Sequence, residues 1–260
     1  MFETLDILDD KHVEIVAAAI ADCRIGLALQ DVHDASHPDQ ILYSECLAQL
    51  IGPNGTIHGP TEFVPCLEAL RETAALNRHV LGLVLDRLEA DPSSVLACNL
   101  SAESLTDEAI AEDILDLILA RAELGPRLVL ELSQAEALQE LSFATRVIAD
   151  LRRLGCRLAL EGFGTGFASP RLIQLVNFDI VKIDKVFTQD TSHSIHQQGS
   201  FWHLARFASC FAPLVVAEGI ETEAQISRAR SAGVTHVQGN IAAFPIAGSA
   251  AAHAKVGGTA

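Results

Sequence analysis

Basic residues are scarce in this chain. Eighteen Lys and Arg stand against 34 Asp and Glu, a formal charge of −16 over 260 residues. A phosphate backbone selects for clustered Lys and Arg, so this balance argues against duplex nucleic acid as a partner. An acidic protein still holds a phosphate ligand when metal ions supply the positive charge. No apolar run approaches the roughly 18 residues that a membrane-spanning helix needs. The opening MFETLDILDD lacks the basic start of a secretory signal. The expectation is a cytoplasmic protein with no membrane segment. The six cysteines (Cys23, Cys46, Cys66, Cys98, Cys156, Cys210) include no C-x-x-C pair, which points to reduced, mostly buried thiols rather than a disulfide or zinc framework. Nor does any strand candidate run into a dinucleotide or Walker-type glycine loop.

What is present is ample apolar material, 49% of the residues, arranged in alternation. Strand candidates are 25–32, 41–47, 94–101, 127–133, 157–162, 179–184, 214–220 and 236–241. Helix candidates are 61–91, 106–124, 135–155, 200–211 and 222–233, preceded by a helix around 9–23. The helices show i, i+3, i+4 spacing and the strands are near-continuous apolar runs, as expected when both faces are covered. About eight strands alternating with helices predict an α/β fold, a single-domain TIM-like (β/α) barrel, with a doubly wound open sheet as the alternative. Only eight residues, HDASHPDQ, join the first two strands. That is too short for a helical crossover, so the barrel is expected to start irregularly, with an antiparallel pair. Residues 1–24 read as an N-terminal capping helix and 247–260 as a flexible tail.

Polar groups recur where these strands end: Glu45, Asn99, Glu131, Glu161, Lys182 with Asp184, Glu218 followed by Glu221, and Gln238. In a (β/α) barrel those ends converge on one mouth, where active sites are built. Carboxylates with an Asn carbonyl, and no Cys or His, form an oxygen-only ligand set suited to Mg²⁺, Mn²⁺ or Ca²⁺. So many carboxylates would repel one another without a cation. A metal centre that activates water and grips a phosphate is the natural use of such a mouth, with Lys182 as counter-charge or orienter of the water. His193 and His196 read as a solvated loop rather than a metal pair, and Trp202 and Phe207 read as core.

Several stretches stand in one register with a known family. YSECLAQL, GPTEFVPCLEAL, CNLSAESL, LVLELSQ, FDIVKIDKVF, VVAEGIETEAQ and HVQGNIAAFPI resemble, in order and spacing, the motifs of EAL domains, the cyclic di-GMP phosphodiesterases and their inactive relatives. The resemblance covers roughly residues 25–246. It implies a TIM-like barrel that binds Mg²⁺ or Mn²⁺, with Ca²⁺ supporting binding without turnover, and that hydrolyses one phosphodiester of cyclic di-GMP to linear pGpG. It assigns Glu45, Asn99, Glu131, Glu161 and Glu218 to the metal, and Lys182, Glu218 and Glu161 to the catalytic step. Gln30, Gln49, Gln238 and Glu221 fall at positions that contact the ligand or support the site. It also implies a homodimer paired through the helix and loop that follow the 161–166 motif.

Three departures are visible. The family's loop begins Asp-Asp-Phe-Gly, whereas here Glu161-Gly162-Phe163-Gly164 lengthens the first acid by a methylene and deletes the second, which helps hold a second metal in active members. Gln49 stands where those members carry an Arg that reaches a phosphate, and a neutral amide makes no bidentate charged contact. Asp31 replaces a Pro and sets a negative charge near the expected dianion. These changes favour a degenerate EAL protein with little or no phosphodiesterase activity, acting through ligand or protein binding. The alternative is a working divalent-metal phosphodiesterase in which Glu161 covers for the pair.

Overall fold

The computed structural model describes residues 11–101, 103–133, 141–165, 176–189 and 199–240. Helix α1 (Lys11–Ala21) precedes the hairpin of β1 (Ile25–Asp34) and β2 (Ile41–Ile51), to which the short β3 (Ile57–His58) is added. Then follow α2 (Pro60–Leu70), α3 (Ala74–Ala90), β4 (Leu96–Ser101), α4 (Glu103–Thr106), α5 (Glu108–Leu119) and a 3₁₀ turn at Ala122–Arg127. The second half runs β5 (Leu128–Ser133), α6 (Leu141–Arg153), β6 (Arg157–Phe163), β7 (Ile180–Ile183), α7 (Lys185–Gln189), α8 (Ser200–Ala208), β8 (Leu214–Ala217), α9 (Glu223–Ser231) and β9 (His236–Gln238).

The sheet order is β1-β9-β8-β7-β6-β5-β4-β2-β3, and a further β1–β2 pairing closes it on itself. Eight strands therefore form a barrel, with β3 outside it on the edge of β2. β1 runs antiparallel to both its neighbours, β2 and β9, while β2, β4, β5, β6, β7, β8 and β9 pair parallel in turn. The short 35–40 connection enforces the antiparallel start, and the helical crossovers enforce the rest.

Strand alternation divides the core in two. Outward residues such as Cys46, Leu100, Leu130, Leu160, Val181 and Val215 meet the helices in one large cluster. Inward residues Val32, Tyr43, Ala97, Val129, Ala159, Ile180 and Val216 fill the lumen. Among the described residues, no helix is long and apolar enough to cross a membrane.

The structure corrects several element boundaries. The expected helix at 61–91 is two helices, because Arg71 turns into the left-handed region at φ 59° and ends α2. No Gly or Pro marks that break in the sequence. The expected helix at 106–124 is split as well: the Asp107 carboxylate accepts from the Ile110 N–H and starts α5 afresh, while Gly125 and Pro126 shape the 3₁₀ turn beyond it. Cys46, Cys66, Cys98 and Cys156 are buried free thiols, but Cys23 and Cys210 are exposed. Phe207 is 38% exposed rather than core; it lies parallel to Phe163, ring centroids 6.2 Å apart. His193, His196 and the tail from 247 lie outside the described residues.

Candidate active site at the barrel mouth

Six polar groups of the mouth each sit two residues beyond a lumen-filling one. The pairs are Tyr43 and Glu45, Ala97 and Asn99, Val129 and Glu131, Ala159 and Glu161, Ile180 and Lys182, and Val216 and Glu218. A period of two puts both members of each pair on the inner face, with the polar one nearer the C-terminal end. β1 runs the other way, so its polar residue comes first: Gln30 precedes Val32.

Lys182 is the centre of this ring. Its ammonium lies 2.6 Å from Glu131 Oε2, 2.8 Å from Glu45 Oε2 and 3.1 Å from Glu218 Oε1. Three N–H donors meet three carboxylates, which uses the whole donor capacity of an ammonium group. Glu45 also accepts from Asn99 Nδ2 at 2.8 Å and from Gln238 Nε2 at 2.7 Å, and Gln238 Nε2 lies 3.3 Å from Gln30 Oε1. Glu131 accepts on its other oxygen from the Tyr43 hydroxyl at 2.7 Å. Glu45, Glu131 and Glu161 each offer a carboxylate oxygen within 4.8 Å of the others.

The charges do not balance. Among the described residues, four carboxylates face one ammonium. Burial pushes Glu131 up to about 7, and the neighbouring charge of Glu45 adds to the push. Glu161 is raised well above the usual range by burial and by Glu45, Glu218 and Glu131, with only Lys182 opposing. Glu218 is raised mainly by burial. Glu45 goes the other way: burial acts to raise it, but Lys182, Gln238 and Asn99 together hold it low. Burial opposes the charge on Lys182, yet Glu131, Glu45 and Glu218 keep it firmly protonated. Burial, then Glu131, likewise keeps the Tyr43 phenol protonated. The oxygen-only donor set and the surplus negative charge fit a hard divalent cation held by Glu45, Asn99, Glu131 and Glu161. Gln238 Oε1, buried and without a hydrogen-bond partner, is an acceptor that a ligand N–H or a water would satisfy.

A cavity of about 290 Å³ opens beside the ring, between the ends of β2 and β4 and helices α2 and α3. Glu45, Asn99 and Glu161 form its inner end, and Pro60, Val64, Leu76 and Val80 its apolar wall. Its polar floor is a hydroxyl network in which Thr73 Oγ1 donates to Ser101 Oγ at 2.9 Å and Asn77 Nδ2 lies 3.2 Å from Ser101 Oγ and Ser104 Oγ.

Not every expected residue joins this centre. Gln49 is half-buried on β2 opposite Gly26 and does not line the cavity. Glu221 is exposed ahead of α9, its backbone N–H donating to Gln225 Oε1. Asp31 turns to the face opposite Gln30 and accepts from Ser44 Oγ at 2.6 Å, so its charge is engaged outside the mouth. Sequence reasoning missed Tyr43 and the hydroxyl floor. The signal for Tyr43 was the alternation itself, which puts it on the same face as Glu45.

The chain matches the family described as EAL domain over residues 13–245, and belongs to that family. It is 28% identical over 211 residues to the cyclic di-GMP phosphodiesterase PdeF of Escherichia coli, covering 78% of this chain but 28% of PdeF. The solved structure of Vibrio cholerae LapD S helix-GGDEF-EAL (apo) superposes with a TM-score of 0.82 at 18% identity, over 92% of this chain and 58% of that one. The FimX EAL domain from Pseudomonas aeruginosa bound to c-di-GMP gives 0.75 at 23%, over 88% of this chain and 93% of that one.

Proposed function

We propose that this is a degenerate EAL-domain protein of cyclic di-GMP signalling, with little or no phosphodiesterase activity, that acts by binding the dinucleotide or a protein. The C-terminal end of β6 carries this reading. Glu161 is the single carboxylate that this strand end brings to the mouth, because Gly162 has no side chain. Among the described residues, the carboxylates gather as one group of three, Glu45, Glu131 and Glu161, enough for one cation. Among the described residues no second such group would hold the other cation of a two-cation hydrolysis. Lys182 supports the same reading: its three donors already serve Glu45, Glu131 and Glu218, leaving none for a phosphate oxygen.

A bound Mg²⁺ or Mn²⁺ would polarise a phosphodiester and acidify a water beside it. The chain's own part is to bind and to orient. Glu45, Asn99, Glu131 and Glu161 hold the cation, Lys182 fixes Glu45, Glu131 and Glu218, and the adjoining cavity takes an apolar-walled, polar-floored part of the ligand. That PdeF is named a cyclic di-GMP phosphodiesterase, and that the FimX domain is described bound to c-di-GMP, supports this dinucleotide as the ligand.

One observation favours active hydrolysis instead. Glu161, longer by a methylene than Asp, brings an oxygen within 4.8 Å of those of Glu45 and Glu131. Calorimetric titration with cyclic di-GMP in Ca²⁺, repeated in Mg²⁺ while pGpG is followed, separates the readings. Binding without product supports a receptor. Product formation at a phosphodiesterase rate overturns the degenerate reading, and no binding in either ion leaves protein binding as the role.

A further inference from the structure

Tyr43 is the chain's single tyrosine. It lies 1% exposed in the lower lumen layer, among Val32, Ala97, Val129, Ala159, Ile180 and Val216. The two alanines of that layer leave the space that a ring fills, and a phenylalanine would fill it equally well. Packing therefore accounts for the ring and leaves the hydroxyl unexplained.

The hydroxyl reaches up to Glu131 and donates to Oε1 at 2.7 Å, while Lys182 Nζ holds Oε2 at 2.6 Å. Glu131 is wholly buried. Two donors from different strands, β2 and β7, hold one oxygen each, so turning the carboxylate plane breaks a charge-assisted bond. A cation among Glu45, Glu131 and Glu161 needs each carboxylate to turn a lone pair inward. Donors behind a ligand carboxylate set that orientation in metal sites generally.

We propose that Tyr43 is a positioning residue of the carboxylate centre, its hydroxyl holding Glu131 in the orientation that a divalent cation requires. This rests on the reading of the mouth as a cation site. If the hydroxyl served only to satisfy a buried carboxylate, its removal would lower stability and leave cation affinity alone.

The test is Mn²⁺ titration of the full chain and of Tyr43→Phe, with free Mn²⁺ followed by electron paramagnetic resonance. Tyr43→Phe is expected to weaken Mn²⁺ binding by about 10- to 100-fold. In the wild-type protein, Mn²⁺ should shift the ultraviolet resonance Raman bands of the single tyrosine, a signal that needs no variant and no turnover. A Tyr43→Phe protein that binds Mn²⁺ within about threefold of wild type overturns the proposal, whatever its stability. So does a tyrosine signal that saturating Mn²⁺ leaves unmoved, and this second measurement decides the matter if the variant folds poorly. Absence of Mn²⁺ binding by the wild type overturns the cation reading and this proposal with it; that failure is told apart because it appears before any residue is changed.

Discussion

Lys182 and Glu131 meet at 2.6 Å with no exposed side-chain surface on either, and the same ammonium also holds Glu45 and Glu218. One positive charge thus stands inside four carboxylates. Replacing Lys182 by Met removes the one cation of the ring among the described residues and leaves buried charge unpaired. The expected loss of stability is about 3–5 kcal/mol, read from urea unfolding. Mg²⁺ or Mn²⁺ should restore part of it, since an added cation replaces the missing charge.

The raised carboxylates make stability depend on pH in a definite direction. Glu131 moves from 4.5 up to about 7 on folding, and Glu161 and Glu218 also move up. In that interval the folded chain binds more protons than the unfolded one. The contribution of Glu131 is complete below pH 4.5 and is lost as pH rises through about 7, and Glu161 and Glu218 act in the same direction. Mg²⁺ acts oppositely, because it competes with those protons. The stabilisation by Mg²⁺, measured as the shift in urea midpoint, should grow from pH 5 to pH 8. A shift that stays constant with pH would remove Glu131 from the cation site.

Gly162 holds φ at +66°, and a Cβ there would lie 3.4 Å from Thr165 Oγ1. Space therefore permits Gly162→Asp, and Asp is among the residues that tolerate this conformation, at a backbone cost of about 1–2 kcal/mol. The variant should be slightly less stable and hydrolyse cyclic di-GMP faster, measured as pGpG formed in Mg²⁺. Unchanged hydrolysis would place the deficit beyond the missing carboxylate, for instance at Gln49.

Gln49→Arg restores a charged fork on the half-buried face of β2. Binding of cyclic di-GMP in Ca²⁺ should tighten by about tenfold, the scale of one hydrogen bond to a charged group, and the gain should shrink in high salt. Calorimetry at two salt concentrations reads both effects.

Gly164 combines φ +102° with a Cβ position 2.5 Å from Phe187 Cε2 and from Leu204 Cδ2. Alanine there must push aside the Phe187 ring and the Leu204 side chain, or shift the end of β6 that carries Glu161. Gly164→Ala should cost about 1–3 kcal/mol by overpacking and weaken cation binding through Glu161, which Mn²⁺ titration would detect.

The alternation of apolar runs and amphipathic stretches, and the short link between the first two strands, pointed to an α/β barrel with an antiparallel start over an open doubly wound sheet, and the β1–β2 pairing decided for closure. Hydrophobic period and connection length leave few other ways to cover both faces of the strands. The same period of two determined which polar residues face the mouth, so Glu45, Asn99, Glu131, Glu161, Lys182, Glu218 and Gln238 were legible as a group. Where α2 ends was not legible, because Arg71 adopts its left-handed turn without a Gly or Pro to announce it. Side-chain contacts across the lumen were not legible either. That Lys182 spends its donors on Glu45, Glu131 and Glu218, that Tyr43 supports Glu131, and that Asp31 bonds Ser44 on the outer face all depend on strand stagger and side-chain reach. Closure of the barrel sets these, by bringing together residues as far apart in the chain as Glu45 and Gln238.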